Sequence, residues 1–296
     1  MDTAVAAVSE SAIDTDEVSE ETAQLIKEIG IPPCPKVLVE FMAEAGKDEP
    51  DFLRLSHLIN KDVALAASVL KTVNSPYYGL PRKARTVHDA LTLLGLRPTS
   101  RLIAGLLLRQ AFAQSQSPVM HEFWDSSSKI ALLTGYLARE LGCAKLDEAH
   151  TFALFRDCGI PVILARHPEY EQLLATTRNE NEDRRSEMER SQFGFDHARV
   201  GAKLAQTWHL PSETCEAIRV HSSYTEPAFG GDPSNIRFAP LIALGLLAEQ
   251  LHRVHRGTFE ADAWETEEAF IAQALGPVQD RLEPLADDIA RILEQS

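Results

Sequence analysis

Ala153-Leu154-Phe155-Arg156-Asp157-Cys158-Gly159 is the stretch on which the reading of this chain turns. A helix is predicted from Asp147 to Phe155, and it runs into a turn at Gly159, which ends helices readily because it lacks a Cβ. Asp157 sits just inside that end. A histidine at position 156 would make the pair two adjacent metal ligands at a helix end. The residue is Arg156, which stays cationic, offers five donors and has no lone pair for a metal. A fixed positive charge therefore stands where a dication would have to sit. The stretch points away from metal catalysis and toward binding or regulation.

The same helical pattern extends outward in both directions. Asp62 is placed to cap a helix carrying Val63, Ala66, Ala67, Leu70 and Val73, which ends at Asn74-Ser75-Pro76. A short helix from Val87 stops at Gly95, and Pro98 opens one carrying Leu102, Ile103, Leu106 and Leu107. A long helix is predicted over 118–141, closed by Gly142. Asp196 caps a helix with Val200, Leu204 and Trp208 on one face, and Pro211 starts another toward Val220. Residues 178–191 are strongly charged and read as a surface loop running into an exposed helix; 222–235 read as a loop. Further helices are expected around 238–256, 260–274 and 277–294. No alternating strand pattern or fixed-period repeat is seen, so the expected fold is all-α. Residues 1–20 read as a disordered acidic tail, 21–225 as a main helical domain, and 226–296 as a C-terminal helical extension packing on or near it.

Composition narrows the function classes. The 296 residues are 44% apolar, enough for an ordinary core, and the formal net charge is −15. That balance opposes nonspecific binding to nucleic acid or anionic membrane, which needs clustered Lys and Arg. The dense basic cluster of the first half, Arg82-Lys83-Ala84-Arg85, reads as a solvated loop. No apolar run approaches the roughly 18 residues of a membrane span, and no signal-peptide pattern opens the chain. Cys34, Cys143, Cys158 and Cys215 lie far apart without a CxxC spacing, so neither a zinc ribbon nor a disulfide framework is expected. A cytoplasmic setting with reduced thiols follows as the expectation.

Four segments, in order, resemble the HDOD domain, a bacterial relative of the HD-type metal phosphohydrolases. The first is Leu70-Lys71-Thr72-Val73-Asn74-Ser75-Pro76-Tyr77-Tyr78-Gly79 with Val87-His88-Asp89-Ala90-Leu91-Thr92-Leu93-Leu94-Gly95. The second is Glu122-Phe123-Trp124 with Ser126-Ser127-Ser128, and the third is the 153–159 stretch. The fourth runs from Phe195-Asp196-His197-Ala198-Arg199-Val200-Gly201 through Trp208-His209-Leu210-Pro211 to Ile218-Arg219-Val220-His221.

The resemblance implies a compact multi-helix, HD-like fold. It also implies a place where catalytic relatives gather His and Asp around one or two metal ions that activate water. At those places this chain has Ser126 for the first His, Arg156 for the His of the doublet and Asp157 for its Asp. The distal Asp falls near Gly245. His197 and His221 match histidines of the two-metal branch, while the second His of the latter pair is Ser222. The remnant pocket is thus Ser126, Arg156, Asp157, His197 and His221, with Arg156 or a nearby Arg expected to close it by pairing with Asp157. No metal, cofactor or catalytic residue is expected. No Gly-x-Ser-x-Gly elbow surrounds Ser126-Ser127-Ser128 to supply a nucleophile.

The leading expectation is a non-catalytic signalling or regulatory module that contacts another signalling protein. Asn74, Tyr78, Arg82, Lys83 and Arg85 are its candidate partner surface. One alternative is a binder of a small anion, nucleotide or nucleotide second messenger through Arg156, His197 and His221, since guanidinium groups suit phosphates. The other is a weak metal-dependent phosphohydrolase with ligands drawn from Asp157, His197, His221 and residues not identifiable from sequence.

Overall fold

A computed structural model describes residues 30–112, 118–177, 182–223, 237–258 and 261–295, with the side chains of 76, 261–266 and 295 left out. The acidic segment 1–20 and most of the 222–235 loop lie outside the described residues. Every regular element among the described residues is helical. Capping side chains set many of the boundaries. Asp51 accepts from the Leu53 and Arg54 amides to start α2 (Phe52–Asn60), after α1 (Lys36–Ala45). Asp62 does the same for α3 (Val63–Val73). Thr86 and Asp89 form a reciprocal capping box at α4 (Val87–Leu94). Gly95, at φ 89°, then turns the chain into α5 (Leu96–Ala111).

The middle of the chain is built on a helical hairpin. The long α6 (Pro118–Leu141) ends at Gly142, whose φ of 65° is the left-handed conformation glycine adopts freely. It packs along α7 (Leu146–Arg156). From Ala149 onward helix α7 has no exposed face: Ala149, His150, Thr151, Phe152, Ala153, Phe155 and Arg156 are buried and Leu154 is half-buried. A helix so covered is the centre of a domain. After it come α8 (Gly159–Arg166), α9 (Tyr170–Thr176), α10 (Glu182–Phe193), α11 (His197–Thr207), α12 (Ser212–Val220) and α13 (Ala239–His255). Helix α7 packs against α5, α6, α11, α12 and α13.

The C-terminal helices α14 (Ala261–Leu275), α15 (Gln279–Leu282) and α16 (Ala286–Gln295) continue the same body. Helix α14 packs on α13, and α16 packs on α6, where Tyr136 donates to Asp288 at 3.0 Å. Arg281 donates to the Leu141 carbonyl at 2.7 Å. At the other end, the buried indole of Trp208 donates to the Pro32 carbonyl at 3.1 Å, tying the proline-rich segment Pro32-Pro33-Cys34-Pro35 before α1 to the end of α11. No helix among the described residues is long and apolar enough to cross a membrane.

Two sequence expectations need correcting. Helix α10 is not an exposed helix: Glu182, Ser186 and Glu189 form a buried stripe along it. Gly159 is not the residue at which α7 turns: the helix ends at Arg156, and Gly159 is the first residue of α8. It is a glycine for want of space, because a Cβ there would lie 2.0 Å from the His197 carbonyl oxygen.

The candidate partner surface is also divided. Arg82, Lys83 and Arg85 are exposed. Asn74, by contrast, spends its amide inside the protein, donating to the Ala84 carbonyl at 2.8 Å and accepting from the Ala84 amide at 2.7 Å. Tyr78 is partly covered, edge-on to the buried Tyr77. Asn74 and Tyr78 therefore shape the loop rather than present it.

Candidate functional site

Four elements converge below the end of α7. Arg156 closes that helix and Asp157 caps it. Gly159 and Gly201 let α8 and α11 approach backbone to backbone, since a Cβ on Gly201 would meet the Gly159 amide nitrogen at 3.2 Å. That approach carries His197, the first residue of α11, against Asp157. Asp196 caps α11 by accepting from the Arg199 amide, so His197 is free of the capping role and fully buried. His221 enters from the end of α12, and Glu182 and Glu189 enter from α10.

The two histidines are held at their Nδ1 atoms. His197 Nδ1 lies 2.7 Å from Glu189 Oε2, which also accepts from the His197 backbone amide at 2.8 Å. The other Glu189 oxygen accepts from the Tyr170 hydroxyl at 2.5 Å. His221 Nδ1 lies 2.7 Å from the Ile218 carbonyl, which can only accept, so Nδ1 carries the proton. Both Nε2 atoms turn inward, 3.3 Å apart. Asp157 Oδ1 lies 3.6 Å from His197 Nε2 and 3.4 Å from His221 Nε2; Glu182 Oε2 lies 3.5 Å from His197 Nε2.

The second Asp157 oxygen faces the other way. Arg156 donates to Oδ2 from Nε at 3.1 Å and from Nη2 at 3.0 Å, and its Nη2 also meets Glu249 Oε2 at 2.6 Å. Arg253 donates to the remaining Glu249 oxygen at 2.6 Å. Room for the guanidinium comes from Gly245 on α13, where a Cβ would lie 3.3 Å from Arg156 Nη1. Arg185 pairs with Glu182. Asp157 and Glu249 border an open cleft of about 750 Å³, with Ser126, Arg185, Arg253 and Arg256 also on its wall. Ser126 belongs to the rim, near Arg256, which pairs with Glu122.

Opposite charges settle the ionisation. Burial would raise the carboxyls of Asp157, Glu182, Glu189 and Glu249. Arg156 at Asp157, Arg185 at Glu182, His197 at Glu189, and Arg253 with Arg156 at Glu249 outweigh it and hold all four low. For His197, burial opposes the charge, but Glu189 and Glu182 win and raise the ring to about 10. Burial next to Glu249 lifts Glu267 to about 7.

A pH dependence follows. A raised histidine stabilises fully below its unfolded pKa of about 6.5, and that stabilisation fades as pH climbs to the folded value. A raised carboxyl loses stability as pH rises from about 4.3 to its folded value, so Glu267 acts in the same direction. The urea midpoint is expected to fall between pH 6 and pH 9. An equal or higher midpoint at pH 9 would rule out a protonated His197 in the folded chain.

The structure thus brings Arg156, Asp157, His197 and His221 together and leaves Ser126 on the rim. Sequence reasoning missed Glu182, Glu189, Arg185, Glu249 and Arg253. The spacing of Glu182, Arg185 and Glu189 on one helical face was the available signal.

The HDOD domain family model matches residues 31–224. Among curated proteins, an uncharacterized protein of Treponema pallidum (strain Nichols) is 27% identical over 219 residues, 69% of this chain and 41% of the relative. The chain thus spans well under half of that relative's length. A crystal structure of an HDOD domain protein from Geobacter sulfurreducens superposes with a TM-score of 0.65 at 19% identity, covering 92% of this chain and 97% of the other. A structure from Shewanella amazonensis SB2B, named provisionally as a phosphohydrolase, gives 0.66 at 21% identity, covering 92% and 98%. At such identities the likeness speaks for the fold.

Proposed function

We propose a function from the premise that this chain belongs to the HDOD family: it is a regulatory module of bacterial signal transduction that acts through protein contacts and does not hydrolyse phosphate esters at the HD position. One observation carries this reading. The buried Arg156 guanidinium, bound to Asp157 and Glu249 and accommodated by Gly245, stands where the doublet histidine and the distal aspartate would hold a metal. The third such position, Ser126, lies on the rim. These residues do not fit a catalytic ion.

Binding of a nucleotide in the cleft is less well supported. Arg185, Arg253 and Arg256 line it, but each already pairs with a carboxylate: Glu182, Glu249 or Glu122. The exposed Arg82, Lys83 and Arg85 offer an acidic partner a better surface. The test is turnover of bis(p-nitrophenyl) phosphate and p-nitrophenyl phosphate by the full chain with added Mg²⁺, Mn²⁺, Fe²⁺ or Zn²⁺. No turnover above the Asp157→Asn variant is expected. Turnover that the variant abolishes would overturn the reading. A protein cross-linked to the wild type in cells, and lost when Arg82, Lys83 and Arg85 are changed to Glu, would support the contact surface.

A further inference from the structure

The geometry points to a cation site beside the arginine-filled position: a closed, tetrahedral site for a zinc-like divalent ion, made by Asp157 Oδ1, Glu182 Oε2, His197 Nε2 and His221 Nε2. These four atoms lie within 4.8 Å of one another. A tetrahedral ion with bonds of about 2.1 Å sets its donors roughly 3.4 Å apart. The measured separations among His197, His221 and Asp157 are 3.3, 3.4 and 3.6 Å, and Glu182 stands 3.5 Å from His197.

The remaining atoms of these side chains are already arranged as supports. Metal-bound histidines usually donate their other ring N–H to a carboxylate or carbonyl, which fixes the ring and the tautomer. Glu189 serves His197 and the Ile218 carbonyl serves His221, leaving both Nε2 atoms aimed at one point. Asp157 Oδ2 is engaged by Arg156, whereas Oδ1 is buried and has no hydrogen-bond partner among the described residues. Oδ1 faces both imidazole Nε2 atoms at 3.4 and 3.6 Å without hydrogen-bonding geometry to either, the spacing that an ion between them would hold. Asp157 and Glu182 are already paired with Arg156 and Arg185, so a bound ion would take the place of the His197 proton; the mixed nitrogen and oxygen donor set suits a first-row divalent ion.

Four protein ligands leave no open coordination position, which makes the site structural or sensory rather than hydrolytic. Its ligands come from the end of α7, from α10, from the start of α11 and from the end of α12, so a bound ion joins four elements at one point. This inference stands apart from the proposed function. Failure of that reading appears as turnover, and failure of this one as the absence of stoichiometric binding.

The test uses the full chain, stripped with EDTA and titrated with Co²⁺. One equivalent is expected to bring up the visible absorption of tetrahedral cobalt, to be displaced by one equivalent of Zn²⁺ and to raise the melting temperature. Glu182→Gln should abolish the tetrahedral spectrum, while helix content by circular dichroism is retained. Glu189→Gln, which removes the charge and one acceptor oxygen of the positioning carboxylate, should weaken binding about 10–100-fold. Ser126→Ala, on the cleft rim, should bind as the wild type does. No stoichiometric cobalt spectrum in the wild type, or a spectrum unchanged in Glu182→Gln, overturns the site.

Discussion

Replacing Arg156 by alanine is expected to destabilise the chain by about 3–5 kcal/mol, the cost of removing one partner from a buried ion pair. The guanidinium is only 4% exposed and satisfies two carboxylates, Asp157 and Glu249. Without it Asp157 would keep its charge between buried groups, and Glu249 would rely on Arg253 alone. The loss is not the net worth of the pair, since desolvating both charges already consumes much of their attraction. Arg156→Lys should recover only part of it, because an ammonium lacks the planar fork that reaches both partners. Urea unfolding at pH 7 measures both variants. A loss below about 1 kcal/mol for the alanine variant would mean that solvent screens this pair as it does surface bridges.

The same residues show what was legible in the sequence. Local punctuation was readable because its chemistry is local. Asp62, Asp196, Gly95 and Gly142 each act on the next few residues, and the helix at 118–141 appears with the bounds its sequence predicts. The 182–193 helix was misread because charged residues are normally solvated. Here Glu189 is buried by partners that lie elsewhere, Tyr170 on α9 and His197 on α11. No pattern within the helix announces them. Glu249 escaped for a related reason. The distal carboxylate was sought at 245, and the structure supplies one at 249, a turn later on the same face of α13. Gly159 was read as a helix-ending turn. Such a turn and a close helix crossing both favour a missing Cβ, and sequence alone does not separate them.

That distinction is open to experiment. Gly159→Ala is expected to cost about 3 kcal/mol, the upper end of the usual overpacking penalty. Its Cβ would meet the His197 carbonyl oxygen at 2.0 Å, the His197 carbonyl carbon at 2.8 Å and the Gly201 amide nitrogen at 2.9 Å. All three are backbone atoms, so no rotamer change can relieve the contact; α11 itself has to move away from α8. The gain in helix propensity from Gly to Ala, about 1 kcal/mol, is too small to offset this. Gly142→Ala provides the contrast. It has nothing within 4 Å and a φ of 65°, so its cost is backbone strain, about 1–2 kcal/mol. The two variants should also differ in kind. Moving α11 displaces His197 from Asp157 and disturbs the buried Trp208 at its far end, so Gly159→Ala should change the near-ultraviolet circular dichroism of tryptophan. Gly142→Ala, at the end of α6, should leave that signal intact. Equal losses with unchanged tryptophan signals would show that α8 and α11 do not cross this closely, and the convergence of His197 on Asp157 would then need another cause.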